Sequence, residues 1–225
     1  MVEERSGLEA IVFDLDGVLV DSEIWWHEVR ADWAAARGRT WTLEDTRAVM
    51  GANSRGWARI MRERLGLDPG EDAEIERAVV AGVVRRFHDE GVPVIPGAVE
   101  AAERLAATYP VAIASSAHAD VIHAALEATG LATTIRIAVS SDEVEHGKPA
   151  PDVYLEAARR LGVEPARCLV VEDSLNGVRA ARAAGMTVVL VPNAHVPPAP
   201  GAEELADLVL ERLDQLDPSN IRRAA

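Results

Sequence analysis

Five short apolar runs, separated by segments with helical periodicity, constrain the fold of this chain more than any other feature. The runs are rich in Val and Ile and cover residues 10–13, 111–114, 135–139, 168–171 and 187–191. Nearly continuous apolar runs of this length are typical of strands that are buried on both faces. Helical patterns lie between them at 98–108, 120–129, 151–161 and 175–184. This alternation predicts an α/β fold built on a Rossmann-like, doubly wound parallel sheet.

The segment between the first and second runs breaks the alternation. It carries four helical patterns and no strand pattern, at 23–37, 43–50, 55–65 and 71–89, and a Pro- and Gly-rich stretch follows at 91–97. We therefore expect an inserted all-helical cap subdomain at 23–92 and an α/β core made of 1–22 and 93–225. All five tryptophans lie in this insert: Trp25, Trp26, Trp33, Trp41 and Trp57. They are expected to build its core, with the alternative that one or two face a cleft.

The positions of glycine and proline residues elsewhere in the chain support the same layout. Gly130, Gly162 and Gly185 follow helical patterns at places where helix C-caps belong. After a short proline-rich loop, a last helix is predicted at 202–213, and a frayed end is expected at 219–225.

Composition excludes several classes of partner. The chain has 225 residues and a formal net charge of −14, which argues against binding to nucleic acids or to anionic membranes. No apolar run approaches the ~20 residues of a membrane span, and the N-terminus does not resemble a signal peptide. Cys168 is the only cysteine and lies in an apolar run, which fits a buried thiol in a reducing compartment. We expect a cytoplasmic protein that is a monomer.

The first apolar run ends in two aspartates, Asp14 and Asp16, followed at once by Gly17. Side chains two positions apart on an extended segment point the same way, so the two carboxyl groups share one side. They repel each other unless a cation lies between them or one of them holds a proton. Either state suits chemistry on a phosphate group.

Further polar residues follow the other predicted strands. They are Ser115 and Ser116 after the second, Ser140, Ser141 and Asp142 after the third, with Lys148 in the loop beyond, and Glu172, Asp173 and Ser174 after the fourth. Open parallel sheets place their sites beyond the carboxyl ends of the strands. Carboxylate oxygens without a Cys or His cluster favour Mg²⁺ over zinc. Each motif alone also fits a turn, a helix cap or a solvated charge, but four of them at four strand ends favour a site.

These motifs resemble the haloacid dehalogenase superfamily, in particular its cap-inserted branch of phosphatases and β-phosphoglucomutase-like proteins. The resemblance covers nearly the whole chain and is carried by Asp-Leu-Asp-Gly-Val-Leu-Val-Asp-Ser at 14–22, Ser115, Lys148 in Gly-Lys-Pro-Ala-Pro-Asp, and Val-Glu-Asp-Ser-Leu-Asn-Gly at 171–177. It implies that Asp14 is the nucleophile that forms an aspartyl-phosphate and that Asp16 is the general acid and base. It also implies that Mg²⁺ is held by Asp14, Asp16 through its backbone carbonyl, and Asp173, with Glu172 as a further ligand or one that acts through a water.

The same resemblance implies a phosphate-binding group. Ser115 is expected to donate a hydrogen bond to the transferring phosphoryl group, and Lys148 to neutralise its charge. Ser116 is a further candidate, for which capping of the next helix is an equal alternative. His118 begins that helix, and a surface role is expected for it.

Three relatives within the resemblance differ in chemistry. Dehalogenases lack the second aspartate, so Asp16 disfavours dehalogenation. The mutase pattern has a cap histidine five residues after Asp21, where this chain has Trp26, and His27 follows one step later. The mutase arginine is only roughly matched by Gly-Ala-Asn-Ser-Arg at 51–55, which is one residue too long.

We therefore expect a Mg²⁺-dependent hydrolase of a small phosphomonoester, such as a sugar phosphate or a phosphoglycolate-like acid. The alternatives are a sugar phosphomutase and a noncatalytic phosphate-binding protein. The sequence does not show which of Trp25, Trp26, Trp57 and Arg55 face the substrate.

Overall fold

The computed structural model describes residues 7–50 and 52–221, and within them it contains a six-stranded sheet. The strands are β1 (Ala10–Phe13), β2 (Val111–Ser115), β3 (Ile137–Ser140), β4 (Cys168–Glu172), β5 (Thr187–Leu190) and β6 (Leu208–Val209). Their order in the sheet is β3-β2-β1-β4-β5-β6, and every neighbouring pair is parallel. The predicted α/β fold with a doubly wound parallel sheet is confirmed.

Nine α-helices lie in the described part of the chain. They are α1 (Glu23–Ala35), α2 (Leu43–Val49), α3 (Ser54–Leu65), α4 (Asp72–Glu90), α5 (Ala98–Ala106), α6 (Ala119–Ala128), α7 (Asp152–Leu161), α8 (Leu175–Ala183) and α9 (Ala202–Leu205). The first four follow one another between β1 and β2, where the sequence predicts an all-helical insert. The exact boundaries of that insert, 23 and 92, stay a prediction.

Two separate apolar cores cover the two faces of the sheet. Along β1, Ile11 and Phe13 belong to one core, and Ala10 and Val12 belong to the other. This division follows from the alternation of side chains along a strand. Because both faces are covered, the strand is apolar at every position and all four of its residues are buried.

The insert has a tryptophan-rich interior that is continuous with the apolar core on one face of the sheet. Trp26, Trp33, Trp41 and Trp57 are all buried. Trp25 is partly buried and packs on Phe87 of α4, with ring centroids 5.8 Å apart. The expectation that the tryptophans build the core of the insert agrees with this packing.

The C-terminal prediction is partly wrong. The helix predicted at 202–213 ends at Leu205, and Leu208–Val209 pairs with β5 as a sixth strand. The cause is tertiary, because the Asp207 carboxylate accepts a hydrogen bond from the Val188 amide at 2.8 Å and pairs with Arg182. These contacts pull the chain onto the sheet edge at the point where the helix would have continued.

Two further expectations concern the C-terminal end and membrane-spanning helices. Part of the end that was predicted to fray forms a 3₁₀ helix at Pro218–Asn220, while residues 222–225 lie outside the described residues. No helix within residues 7–50 and 52–221 has the length and apolar character needed to cross a bilayer.

Candidate active site

The carboxyl edge of the sheet gathers the predicted site residues. Phe13 pairs with Val171 across β1 and β4, so Asp14 and Glu172 follow at the same level of the sheet. The Asp14 amide donates to the Val171 carbonyl at 2.9 Å and extends this pairing by one residue. The strand register therefore places these two carboxylates side by side.

Lys148 lies between the two carboxylates. Its Nζ is 2.6 Å from Asp14 Oδ1 and 2.6 Å from Glu172 Oε1, and the side chain is buried. Burial alone would lower the pKa of Lys148, but the adjacent carboxylates outweigh it and raise that pKa above its ordinary value. Lys148 is therefore a fixed cation at the oxygen of the predicted nucleophile.

Glu172 is fully buried, and both of its oxygens are engaged. Besides Lys148, Oε1 accepts from the Tyr154 hydroxyl at 2.6 Å. Oε2 accepts from the amides of Asp173 and Ser174 and from the Ser174 hydroxyl. This saturation favours a role in orienting Lys148 and the loop after β4, and direct metal ligation by Glu172 stays a prediction.

A group of carboxylates at this edge fits a divalent cation. Single oxygens of Asp14, Glu172 and Asp173 lie within 4.8 Å of one another. Burial raises the pKa of Asp173, and repulsion from Glu172 and Asp14 adds to that effect. Burial likewise raises the pKa of Asp14. Crowded carboxyl groups of this kind become stable anions when a hard cation binds their oxygens, as Mg²⁺ does.

Gly17 allows Asp173 to approach the loop after β1. Its φ is +83°, and a Cβ placed there would lie 1.9 Å from Asp173 Oδ2. Only glycine fits both the backbone conformation and the space. The backbone of the Asp-Leu-Asp-Gly segment therefore leaves the space that the Asp173 carboxylate occupies.

Asp16 faces the insert instead of Lys148. Its Oδ1 accepts hydrogen bonds from the Ser22 hydroxyl and from Trp26 Nε1, the latter at 3.4 Å. Burial raises the pKa of Asp16 above its ordinary value, although these two hydrogen bonds act against the rise. A carboxyl group of this kind is suited to holding a proton that it can donate.

A narrow cavity between the insert and the sheet edge leads to Asp16. Its polar and aromatic walls are formed by Asp16, Glu23, Trp26, Arg30, Trp57 and Ser116. Trp26 and Trp57, left undecided by the sequence, thus face this cavity. Trp25 packs within the insert, and neither it nor Arg55 is among the residues that line the cavity.

Glu23 and Arg30 are the ionisable cavity residues that the sequence analysis does not identify. Burial and the charge of Asp16 raise the pKa of Glu23 to about 7. Burial lowers the pKa of Arg30 to about 10. Both lie on the face of α1 that carries Trp26, since positions three and four apart share a helix face. That spacing, directly after the aspartate motif, was the signal that could have found them.

The two serines after β2 are placed differently. Ser115 is buried, and its Oγ accepts from the Ala117 amide at 3.0 Å, whereas Ser116 lines the cavity beside Asp16. A phosphate contact by either serine stays a prediction. His118 caps α6, as its ring Nδ1 accepts from the Asp120 amide at 3.2 Å.

The loop after β3 contacts the insert. Asp142 Oδ1 accepts a hydrogen bond from the Ser54 amide at the start of α3, at 3.0 Å. The buried lysine, the crowded carboxylates and the adjoining cavity together form a site whose side chains are suited to holding a divalent cation and an anionic group.

Known proteins are similar to this chain in sequence. A family model described as a haloacid dehalogenase-like hydrolase matches residues 8–185. The protein CbbY of Rhodobacter capsulatus is 35% identical over 198 residues, which cover 84% of this chain and 87% of that protein. Fructose-1-phosphate phosphatase YqaB of Escherichia coli (strain K12) is 31% identical over 190 residues, covering 84% of this chain and 97% of that protein.

A solved structure gives the same result in three dimensions. The crystal structure of a CbbY variant from Rhodobacter sphaeroides in complex with xylulose-(1,5)bisphosphate matches with a TM-score of 0.80 at 29% identity, covering 93% of this chain and 96% of that chain. The chain belongs to the haloacid dehalogenase-like hydrolases. Relatives named as phosphatases confirm the predicted class of enzyme, a hydrolase of phosphoric monoesters.

Proposed function

We propose that this protein is a Mg²⁺-dependent phosphatase that hydrolyses a small phosphorylated metabolite through an aspartyl-phosphate at Asp14. The observation that carries the proposal is the contact of 2.6 Å between Asp14 Oδ1 and the buried Lys148 Nζ, beside the carboxyl group of Asp173. The relatives support a small phosphorylated substrate, since one of them is named as a fructose-1-phosphate phosphatase.

In the first step a carboxylate oxygen of Asp14 attacks phosphorus and the bond from phosphorus to the leaving oxygen breaks. Asp16 gives its proton to that leaving oxygen, so the product departs as a neutral alcohol. Lys148 stays next to Asp14 and offsets negative charge on the phosphoryl oxygens. Ser115 and Ser116 are proposed to donate hydrogen bonds to the same group.

In the second step water attacks phosphorus and the bond to Asp14 breaks, which releases phosphate. Asp16, now ionised, takes the proton from the attacking water. Asp14, Asp173 and the backbone carbonyl of Asp16 would hold Mg²⁺. When bound, the metal supplies positive charge that favours ionised Asp14 and stabilises charge on the phosphoryl group.

The surroundings of Asp16 favour hydrolysis over phosphoryl return to a sugar. Trp26 occupies the position at which the mutase pattern has its cap histidine. Its indole nitrogen can donate a hydrogen bond but cannot accept one. The neighbouring His27 does not replace it, because its ring Nδ1 lies 2.8 Å from Thr46 Oγ1 within the insert. Gly51, part of the rough match to the mutase arginine motif, lies outside the described residues.

The deciding experiment is phosphate release from a panel of small phosphomonoesters, measured with Mg²⁺ and with the metal removed by a chelator. We expect release that depends on Mg²⁺ and that is lost in Asp14→Asn. Asp89→Asn is the matched control, because Asp89 is exposed at the end of α4. It should keep the wild-type rate.

The covalent intermediate is tested separately. Acid quench during turnover followed by borohydride reduction would convert a phosphorylated aspartate to homoserine, which peptide mass spectrometry would locate at position 14. Turnover that survives in Asp14→Asn, or a modified residue elsewhere, would refute the assignment. Conversion of β-glucose 1-phosphate to the 6-phosphate without phosphate release would identify a mutase instead.

A further inference from the structure

A second group of possible metal ligands lies where the insert meets the α/β core. It consists of Glu76 on α4, His118 at the N-cap of α6 and Asp142 in the loop after β3, and each residue offers one ligand atom. These atoms all lie within 4.8 Å of one another. None of the three residues lines the cavity that leads to Asp16, and none belongs to the group of carboxylates at the sheet edge. The group is therefore separate from the candidate active site.

Asp142 has a buried oxygen without a partner. Its Oδ1 accepts a hydrogen bond from the Ser54 amide of the insert at 3.0 Å, whereas Oδ2 has no hydrogen-bond partner among the described residues. The hydroxyl groups of Ser54 and Ser141, two fully buried residues, also lack partners within residues 7–50 and 52–221. A buried polar atom that makes no hydrogen bond costs free energy. Three such atoms around one contact between insert and core therefore point to a ligand.

Glu76 brings a second carboxyl group to this contact from the side of the insert. No hydrogen bond or ion pair engages it among the described residues. Burial raises the pKa of Glu76 and the charge of Asp142 adds to the rise, while His118 and Arg55 act against it. Two carboxyl groups that repel each other become stable anions when a cation lies between them.

His118 decides which cation fits. Imidazole nitrogen is a good ligand for Zn²⁺, whereas Mg²⁺ prefers oxygen ligands. Because His118 Nδ1 is engaged by the Asp120 amide, Nε2 is the ring nitrogen left for a metal. Ligation by Nε2 places the ring proton on Nδ1, where Asp120 Oδ2, 3.6 Å away, can become its acceptor. Metal-bound histidines commonly have such a carboxylate partner.

An ion can reach this group from solvent. Glu76 and His118 line a groove of about 510 Å³ beside α4, whose walls also include Val84 and Arg85. All three possible ligands are only partly buried. Zinc bonds to nitrogen and to carboxylate oxygen are about 2.0–2.2 Å long, so small rotations of these side chains would bring all three into range.

We propose that Glu76, His118 and Asp142 bind a Zn²⁺ ion that ties the insert to the α/β core and thereby slows turnover. Glu76 belongs to the insert and the other two ligands belong to the core, so one ion joins both parts. The cavity that leads to Asp16 lies between the same two parts, so fixing them together hinders substrate entry and product release. The binding of zinc does not depend on the proposed phosphatase function, whereas the slowing of turnover rests on it.

Calorimetric titration with Zn²⁺ in excess Mg²⁺ tests the binding. Magnesium occupies the carboxylates at the sheet edge, and we expect one further Zn²⁺ to bind per chain. Glu76→Gln on the insert and His118→Asn on the core should each weaken this binding at least ~10-fold, the lower end of the effect of losing a group that only orients a ligand. Asparagine at position 118 keeps an acceptor for the helix cap, so the start of α6 is preserved.

Two control variants should keep the zinc affinity. His123→Ala removes an exposed histidine of the same helix that is not part of the group. Asp173→Asn removes a carboxylate of the sheet edge, so zinc binding that survives in it cannot come from that site.

Phosphate release from p-nitrophenyl phosphate in saturating Mg²⁺ tests the effect on turnover. Added Zn²⁺ should lower kcat of the wild-type enzyme, and a higher Mg²⁺ concentration should not restore it. Glu76→Gln should have the wild-type rate without zinc and should keep that rate when zinc is added at concentrations that slow the wild type.

The outcomes separate the two proposals. If the wild-type enzyme releases no phosphate from any phosphomonoester, the proposed function fails, while the calorimetric result still decides whether zinc binds at the contact. If no Zn²⁺ binds in excess Mg²⁺, or if Glu76→Gln and His118→Asn bind it as tightly as wild type, the zinc site is refuted. Inhibition that higher Mg²⁺ relieves and that persists in Glu76→Gln would place the inhibiting ion at the sheet edge and would refute the tie between insert and core.

Discussion

Glu23 should make the protein less stable as pH rises, and Glu23→Gln should remove this cost. In the folded protein, burial and the charge of Asp16 raise the pKa of Glu23 from 4.5 to about 7. Between these values the unfolded chain has released the proton while the folded chain retains it. Stability therefore falls with rising pH across this window, since the folded state binds more protons there.

The expected magnitude follows from the two pKa values. One pKa unit corresponds to about 1.4 kcal/mol, so an ionised Glu23 costs the folded state about 3 kcal/mol at pH 8. Near pH 4 the carboxyl group is protonated in both states and the cost disappears. Glutamine has nearly the same shape and does not titrate. We thus expect Glu23→Gln to exceed wild type by about 3 kcal/mol in free energy of unfolding at pH 8 and by about 1 kcal/mol at pH 5.

Urea unfolding without divalent cations, followed by tryptophan fluorescence, measures this difference. All five tryptophans lie in the segment that contains Glu23, so the signal reports the relevant structure. A gain that is equal at pH 5 and pH 8 would show that titration of Glu23 is not the cause. A loss of stability in Glu23→Gln at pH 8 would refute the reasoning altogether. It would mean that the carboxylate is ionised and stabilised by Arg30.

Three further results are expected at the sheet edge. Gly17→Ala should weaken Mg²⁺ binding at least ~10-fold and reduce turnover in parallel, because its Cβ would displace the Asp173 carboxylate. Calorimetric Mg²⁺ titration would show this, with Gly38→Ala, whose Cβ meets open space at a φ of +68°, as the control that keeps its affinity. Tyr154→Phe should lower the free energy of unfolding by about 2 kcal/mol, because it removes a buried hydrogen bond to the Glu172 carboxylate. A change below about 0.5 kcal/mol in urea unfolding would show that this hydrogen bond does not stabilise the fold. Removal of Mg²⁺ should abolish phosphate release reversibly, and turnover that persists in chelator would argue against metal dependence.

The pattern of apolar residues was sufficient to predict an element when the burial of that element alone determines its structure. The strand at 10–13 was predicted with its exact bounds because its burial on both faces is visible as an unbroken apolar run. The strand at β6 was missed because it has only two residues. It exists through contacts of Asp207 with β5 and α8, which no periodicity in the segment shows.

The sequence predicted the residues on the core side of the site better than those on the insert side. The core side was found through the resemblance of its motifs, yet the contact between Lys148 and Asp14 joins residues 134 positions apart and follows from no spacing rule. On the insert side, Glu23 and Arg30 looked like ordinary polar positions of an amphipathic helix. Their placement in a shared cavity depends on how α1 lies against the sheet edge.

The position of Trp26 connects these two sides. An indole N–H can donate a hydrogen bond to Asp16 but cannot accept or transfer a proton at neutral pH. Proton transfer in both proposed steps is therefore left to Asp16, while Trp26 and Trp57 hold Arg30 at the cavity wall. Substitutions at Asp16 should accordingly slow both steps, whereas substitutions at Asp14 should stop hydrolysis of every phosphomonoester.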